Sequence, residues 1–404
     1  MPILGQTLRM PNAKVLFSAV FIAVTASMSL SGPAPAASTV DGDVVARSPG
    51  VDVVVLQTRR TVASFVPRAA LETRQGLYIL DFGGWVKGKG KLLLAKPEPG
   101  ATRTMVFSGL DRPHGMAVGA DGWIYVGEVT KIFRFDPANP QATKQTVVTL
   151  PARPGSWKHP LTQFAFSADG GLLVNHGSRT DNCAGEKGPI CAEAEGTRSK
   201  VGAGVVLRGT FTKGKVSGPL TKYASGLRNS MGIAVHQSGT VVQAENSRDS
   251  IDQADPKLSD EALPHDELNV LTPNENYGWP YCFDAQRNAP EFRTYACTSK
   301  TVPPAVLLPA HSAPLGLSYW TRSGNSEVLV VALHGYRNTG HRLVTYNVDT
   351  KGVPFGSPKE LVTWAGEDTA ADEIPGPVGV SVAADGSLLV ADDRRGMVLR
   401  VTSK

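Results

Sequence analysis

The chain has 404 residues, 41% of them hydrophobic and 19% charged, with 41 basic against 36 acidic side chains and a formal net charge of +5. That composition can bury a full core and is not that of a disordered chain. The mixed charge excludes a nucleic-acid protein built on one basic stripe, and no zinc-finger or helix-turn-helix pattern occurs. From the N-terminus, Lys14 precedes an apolar run from Val15 to Met28, and small residues follow at Ala34-Pro35-Ala36-Ala37. A basic flank, an apolar stretch and small residues at its end predict a secretory signal over residues 1–37. An uncleaved membrane anchor is the alternative reading of the same run. Residues 38–404 are then an exported body, periplasmic or secreted, in which no apolar run approaches the ~20 residues needed to span a bilayer.

Beyond residue 50, apolar alternation recurs around a Gly-containing turn. Met116–Val126 turns at Asp121-Gly122, Phe164–Val174 at Asp169-Gly170, Ile233–Gln243 at Ser238-Gly239 and Val380–Val390 at Asp385-Gly386. Asp-Gly between two alternating runs predicts a β-hairpin, because Gly reaches positive φ cheaply and the tight turn matches strand twist. A weaker copy runs from Leu315 through Ser323-Gly324-Asn325 to Val331, and Gly76–Leu80 with Lys91–Ala95 is the candidate for a sixth. Six long units with little helical periodicity predict an all-β, six-bladed β-propeller. A pair of β-sandwiches or a β-helix would also use such strands, although the irregular spacing of the turns speaks against a regular solenoid.

The four cysteines form two local pairs, Cys183 with Cys191 and Cys282 with Cys297, each in a polar loop. In an exported chain these read as two short disulfide loops. A zinc site would compete, but there is no C-x-x-C and no histidine cluster beside them. Nor is there a Gly-rich phosphate loop, a G-x-S-x-G or an H-E-x-x-H, so nucleotide, serine-hydrolase and zinc-protease readings lose their anchors.

Candidate chemistry gathers on loops. His159, in Trp157-Lys-His-Pro160, stands just before the run Leu161–Phe166, where a histidine can point into a propeller's central funnel as a general base; a turn histidine is the plainer alternative. Arg228-Asn229 precede the third repeat and offer a charged fork beside an amide donor and acceptor, or are simply a solvated loop arginine with an asparagine turn. Glu245–Asp249 and Pro264–Asn269 are rich in oxygen and suit a hard cation such as Ca²⁺, or are simply solvated acidic loops. His176 reads as structural.

These motifs together resemble the glucose/sorbosone dehydrogenases, six-bladed propellers that oxidise sugars with pyrroloquinoline quinone (PQQ) and calcium, and among them the sorbosone branch. The resemblance runs from about Leu110 to Val401. It is carried by Asp266-Glu-Leu-Asn269 with Asn276-Tyr-Gly-Trp-Pro280, by Gly226-Leu-Arg-Asn229 with Met231-Gly232, by His159 ahead of the Asp169-Gly170 hairpin, by Ala332-Leu-His-Gly-Tyr-Arg-Asn338, and by Gly376-Pro-Val-Gly-Val380 with Ala391-Asp-Asp393.

The resemblance implies His159 as the base that takes a proton from the sugar hydroxyl while hydride passes to the quinone. It implies Arg228 polarising the quinone oxygens, Asn229 bonding the cofactor, and the backbone carbonyls of Ser247 and Arg248 holding Ca²⁺. His334 falls where soluble glucose dehydrogenases have a cofactor-contacting lysine. Their arginine pair before the last blade falls on Gly376-Pro377-Val378, with Arg337 on a neighbouring loop as the basic residue that can replace it. Gly177-Ser178 stands where they have Gly-Asp, and their early Gln-containing loop has no clear counterpart. The implied partners are a small-molecule sugar and a quinone or cytochrome electron acceptor, with no nucleic acid, for a monomer or homodimer. Two other classes stay open: a lactone-hydrolysing propeller, which needs carboxylate and Asn metal ligands converging on the funnel, and a non-catalytic propeller that binds a carbohydrate-like ligand. The pairing of His159 with Arg228 favours the dehydrogenase.

Overall fold

The computed structural model describes residues 39–40, 44–59, 65–153, 155–184, 190–196, 201–364 and 374–404. The secretory signal expected over residues 1–37 lies outside them. No helix among the described residues is long and apolar enough to cross a membrane.

Six antiparallel sheets follow one another around a ring. The first blade comprises Pro67–Thr73, Gly76–Asp81, Gly90–Ala95 and Thr104–Leu110. The second comprises Met116–Val118, Ile124–Glu128, Lys131–Phe135 and Gln145–Thr149, and the third Phe164–Phe166, Leu172–His176, Val205–Thr212 and Lys215–Ser225. The fourth is built from Ser230–Val235, Val241–Glu245, Asp266–Leu271 and Val306–Leu308. In the fifth, Pro314–Thr321, Glu327–Leu333, Arg342–Val348 and Pro354–Trp364 are extended outward by Val44–Ala46 and Thr39–Val40. The sixth joins Pro377–Val382, Leu388–Asp392 and Met397–Ser403 to Val51–Thr58, so the start of the body supplies the outer strand of the last blade and closes the ring. Closure leaves no open sheet between first and last blades, which is how a propeller removes exposed edges.

The repeated hairpins join the innermost two strands of their blades. The turn aspartates act locally: Asp121 accepts from Trp123 N, Asp169 from Gly171 N and Asp385 from Ser387 N. Each also pairs with an arginine on the third strand of its own blade, Arg134, Arg208 and Arg400 respectively. The weaker copy is likewise an inner hairpin. The sixth candidate is corrected: Gly76–Leu80 and Lys91–Ala95 pair as second and third strands. The inner hairpin of that blade turns instead between Thr73 and Gly76, without an Asp-Gly signal.

Both expected disulfides are formed, Cys183–Cys191 and Cys282–Cys297. They lie in insertions of the third and fourth blades and share one satellite core with Ile251, Tyr281, Phe283 and Phe292. Nearer the axis, Phe82, Val129, Leu161, Met231, Leu315 and Val378, one from each blade, form an apolar plug. Burial of such side chains stabilises each by about 1.5–3 kcal/mol relative to exposure, and the plug makes a rigid floor for what lies above it.

Candidate active site

A cavity of about 550 Å³ sits on that floor, with Leu161, Met231 and Leu315 as its apolar base. It falls within the ~300–1,000 Å³ typical of small-molecule sites. His159, Arg228, Asn229, Ser247, His334 and Arg337 all line it, although they come from the third, fourth and fifth blades. Arg248 does not: its side chain turns away to a two-pronged pair with Glu291, and it borders a much smaller space behind the main cavity.

His159 is fixed from its Nδ1 side. Nδ1 lies 2.8 Å from Ser178 Oγ and 3.2 Å from the Ser178 carbonyl. The Ser178 hydroxyl spends its one proton on the Thr180 carbonyl at 2.6 Å, so towards the ring it can only accept. Nδ1 therefore carries the hydrogen, and Nε2 holds a lone pair with no hydrogen-bond partner among the described residues. Burial, and then the nearby Arg228 charge, hold the pKa of His159 well below its usual 6.5. The ring is a neutral base aimed at the cavity. Gly177 makes this approach possible, since a Cβ there would sit 2.6 Å from the His159 carbonyl oxygen and 2.7 Å from its Cβ.

Arg228 is bound to the base through the backbone, its carbonyl accepting from Ser178 N at 2.8 Å. Its guanidinium donates to the carbonyls of Asp181, Asn246 and Ser247 and to the carboxylates of Asp181 and Asp249. All five N–H groups are used, so the group is preorganised and its positive charge is locally balanced. The Asn-Tyr-Gly-Trp-Pro segment explains how. Trp279 Nε1 donates to the Asp181 carbonyl at 2.9 Å, and Tyr277 Oη anchors the segment on Val270. Its role is to brace Asp181 against Arg228. Asn229 N donates to Glu245, whose carboxyl is pushed up to about 8 by burial, while the Asn229 side-chain amide has no partner among the described residues and faces the cavity.

Positive charge collects in the opposite corner. Arg68 pairs with Asp393 at 3.0 Å, and Asp393 accepts from His334 Nε2 at 2.9 Å. Arg394 donates to His334 Nδ1 at 2.9 Å, which leaves His334 neutral, in keeping with the lowering of its pKa by burial. Two arginines thus face one carboxylate. Arg394 lies over Gly376, where a Cβ would meet its Cγ at 2.8 Å and His334 Nε2 at 2.9 Å. The basic group missing from Gly376–Val378 is therefore supplied from the next loop and from the first blade. Arg337, the residue expected to compensate, is tied to Asp260 and Glu261.

Oxygen donors follow the second strand of the fourth blade, at Ser247, Arg248 and Asp249. The Ser247 carbonyl accepts from Arg228 at 2.8 Å and keeps a second lone pair; the Arg248 carbonyl has no partner among the described residues; the Asp249 carboxylate, held well below the usual carboxylate range by His311 and Arg228, stands beside them. This donor set suits a hard cation. Among the described residues, the one group of three convergent His, Cys or acidic ligand atoms is Cys183, Cys191 and Glu193, whose cysteines are already bonded to each other.

A family model described as TrAA12-like matches residues 100–293. The calcium structure of the Trichoderma reesei carbohydrate-active enzyme family AA12 is 20% identical, over 90% of this chain and 98% of that one, with a TM-score of 0.70. The holo form of the pyranose dehydrogenase PQQ domain from Coprinopsis cinerea is 20% identical over 91% and 99%, TM-score 0.67. The PQQ-bound aldose sugar dehydrogenase from Streptomyces coelicolor is 17% identical over 88% and 98%, TM-score 0.56. The chain shares their fold. A protein of Borreliella burgdorferi is 30% identical over 192 residues, 44% of this chain and 48% of that protein, so this chain spans about half the length of that relative.

Sequence reasoning missed Arg68, Arg394, His311 and Asp266 as members of the site. Asp266 is part of a motif, yet its task shows only in three dimensions: it accepts from Ser247 N, Ser312 Oγ and Ala313 N, joining the fourth blade to the fifth. Arg394 follows Asp392-Asp393 directly, which was the available signal. Arg68 and His311 carried none.

Proposed function

We propose that the protein is an exported oxidoreductase that oxidises a sugar, or a related alcohol or aldehyde, using PQQ and calcium, with His159 as general base. The observation that carries this reading is the free Nε2 of His159, held neutral above an apolar floor and next to a fixed guanidinium. The residues fit the cofactor. An anionic quinone finds the Arg68–Arg394 corner, where both Nε atoms are buried without hydrogen-bond partners, and the free amide of Asn229. Calcium would be held by the carbonyls of Ser247 and Arg248 with the carboxylate of Asp249, hard oxygen donors of the kind it takes. When bound, the quinone supplies the two-electron acceptor that no amino-acid side chain provides.

His159 Nε2 takes the proton of the hydroxyl being oxidised, and Ser178 holds the ring while it does so. Arg228 keeps a positive charge beside the reacting groups without having to reorganise. The floor of Leu161, Met231 and Leu315 restricts water and strengthens these interactions. A quinone or cytochrome collects the electrons afterwards. The two disulfides support an oxidising compartment, periplasmic or secreted. A lactone hydrolase would draw its metal ligands from Asn229, Asn246, Asp249 and Asp266, which line the same cavity; the neutral His159 beside a fixed guanidinium favours the dehydrogenase.

Reconstitution of the purified protein with PQQ and Ca²⁺ tests the reading. Bound quinone should appear in the absorption spectrum, and the pair should raise the melting temperature; a ligand at a hundredfold excess over its Kd adds about 2.7 kcal/mol. His159→Ala should keep the quinone and lose ~10²–10⁴-fold in dye-linked sugar oxidation, the usual contribution of a general base. Absence of any quinone binding, or full activity without His159, would overturn it.

A further inference from the structure

Of the large hydrophobic side chains more than a third exposed among the described residues, two line the cavity, and both are aromatic: Trp85 at 60% and Tyr336 at 63%. Neither ring is loose. Trp85 packs edge-on against Phe82 at 5.2 Å, and Phe82 lies under the Arg68 guanidinium at 4.5 Å. Tyr336 has one face on the Arg394 guanidinium at 3.6 Å. Arg68 and Arg394 are joined through Asp393 and His334. The two rings therefore stand on one rigid bracket built from the first, fifth and sixth blades. Exposed aromatic area is costly unless it is used, and an aromatic face presented to water at the mouth of a polar cavity suits a partner with an apolar face and a hydroxylated edge.

We infer that Trp85 and Tyr336 form a stacking platform for a second pyranose ring, and that the substrate is an oligosaccharide rather than a free monosaccharide. This rests on the sugar-oxidising reading above. The ring that reacts must reach His159, on the third blade and against the apolar floor. The platform lies on the rim contributed by the first and fifth blades, with rings more than half exposed. His159 stands on the third blade and the two rings on the first and fifth, so a sugar chain crossing the cavity sets one unit at the base and the next against the aromatic faces.

The test compares maltose, cellobiose and maltotriose with glucose, by calorimetric titration of the calcium- and PQQ-loaded protein and by KM and kcat in the dye-linked assay. The wild type should prefer the longer sugars through KM rather than kcat. Trp85→Ala and Tyr336→Ala should each cut the ratio of long-sugar to glucose affinity by about tenfold, in line with the loss of one aromatic contact. Tyr336→Phe, which keeps the ring, should retain the ratio. Phe355→Ala removes an exposed aromatic remote from the cavity and should change neither class. An equal loss for glucose and the longer sugars, or no loss, overturns the platform and leaves the dehydrogenase standing. A weaker Kd for PQQ with an unchanged sugar ratio assigns the rings to the cofactor and also overturns it. Failure of every sugar to bind the loaded wild type removes both readings together.

Discussion

The imidazole of His159 leans on a hydroxyl and a carbonyl of Ser178 rather than on a carboxylate, and this sets its titration. With burial and Arg228 both disfavouring the cation, the base stays neutral well below pH 6.5. With His159 as the base proposed above, the acid limb of kcat/KM should accordingly lie below that pH. Ser178→Asp places a negative charge beside the ring, favours the imidazolium and should move the limb upward by about one unit or more. A pH–rate profile of the two proteins checks this, and a downward shift would contradict it. His311 behaves oppositely. Hydrogen bonding to Asp249 raises its pKa above 6.5, and the Asp260 carboxylate adds to the effect. Its folded pKa exceeds the unfolded one, so its stabilisation is full below about pH 6.5 and disappears as the pH rises through the folded value. Denaturant melts should show His311→Gln weakened most on the acid side of that window and converging on the wild type in alkaline buffer.

At the scale of elements, the segment leaving the second strand of the third blade holds the base in place. Gly177→Ala would force its Cβ against the His159 backbone. A displacement near 1 Å of a catalytic group costs on the order of 10²-fold, so the variant should keep the propeller's circular dichroism and lose about that factor in kcat/KM. The disulfide insertions are separate small cores. Opening the 15-residue Cys282–Cys297 loop by Cys282→Ser with Cys297→Ser should cost about 3 kcal/mol on chain-entropy grounds. Chemical melts measure it, and a change under 1 kcal/mol would mean that Tyr281, Phe283 and Phe292 hold the satellite core without the bond. The inner hairpins were legible because their signal is local: alternation on each side of a Gly-containing turn, with an aspartate capping its own backbone at Asp121, Asp169 and Asp385. The first blade evaded that reading because its inner turn runs from Thr73 to Gly76 and lacks the signal, while the alternation of Gly76–Leu80 and Lys91–Ala95 is equally true of second and third strands.

Across the whole molecule, ring closure depends on one strand remote in sequence from its partners. Val51–Thr58 pairs along the full length of Met397–Ser403 and buries Val53 and Leu56. Deleting residues 1–58 would leave the sixth blade with three strands and an open edge, and should lower the melting temperature and promote association. Deleting only residues 1–46 removes the outward extension of the fifth blade and should be much milder. Calorimetry and light scattering on the two truncations separate these outcomes; equal stability of both would refute the closure argument.

His159, Arg228 and Asn229 were joined in one site by a family resemblance rather than by their spacing, and the fold lines one cavity with all three. The amino-acid sequence by itself determined the repeating hairpins, the all-β ring they imply and the cysteine partners. Each of these rests on residues close in the chain or on a compact motif. Tertiary structure alone decided where the positive charge lies. Arg68 lies on the first strand of the first blade and Arg394 in the turn between the second and third strands of the sixth, and only closure of the ring brings Arg68 to Asp393, beside a glycine that the sequence marks as uncharged. It also decided the protonation of His159, because the tautomer follows from where the Ser178 hydroxyl sends its single proton, and that direction is set by the fold of the loop around Thr180.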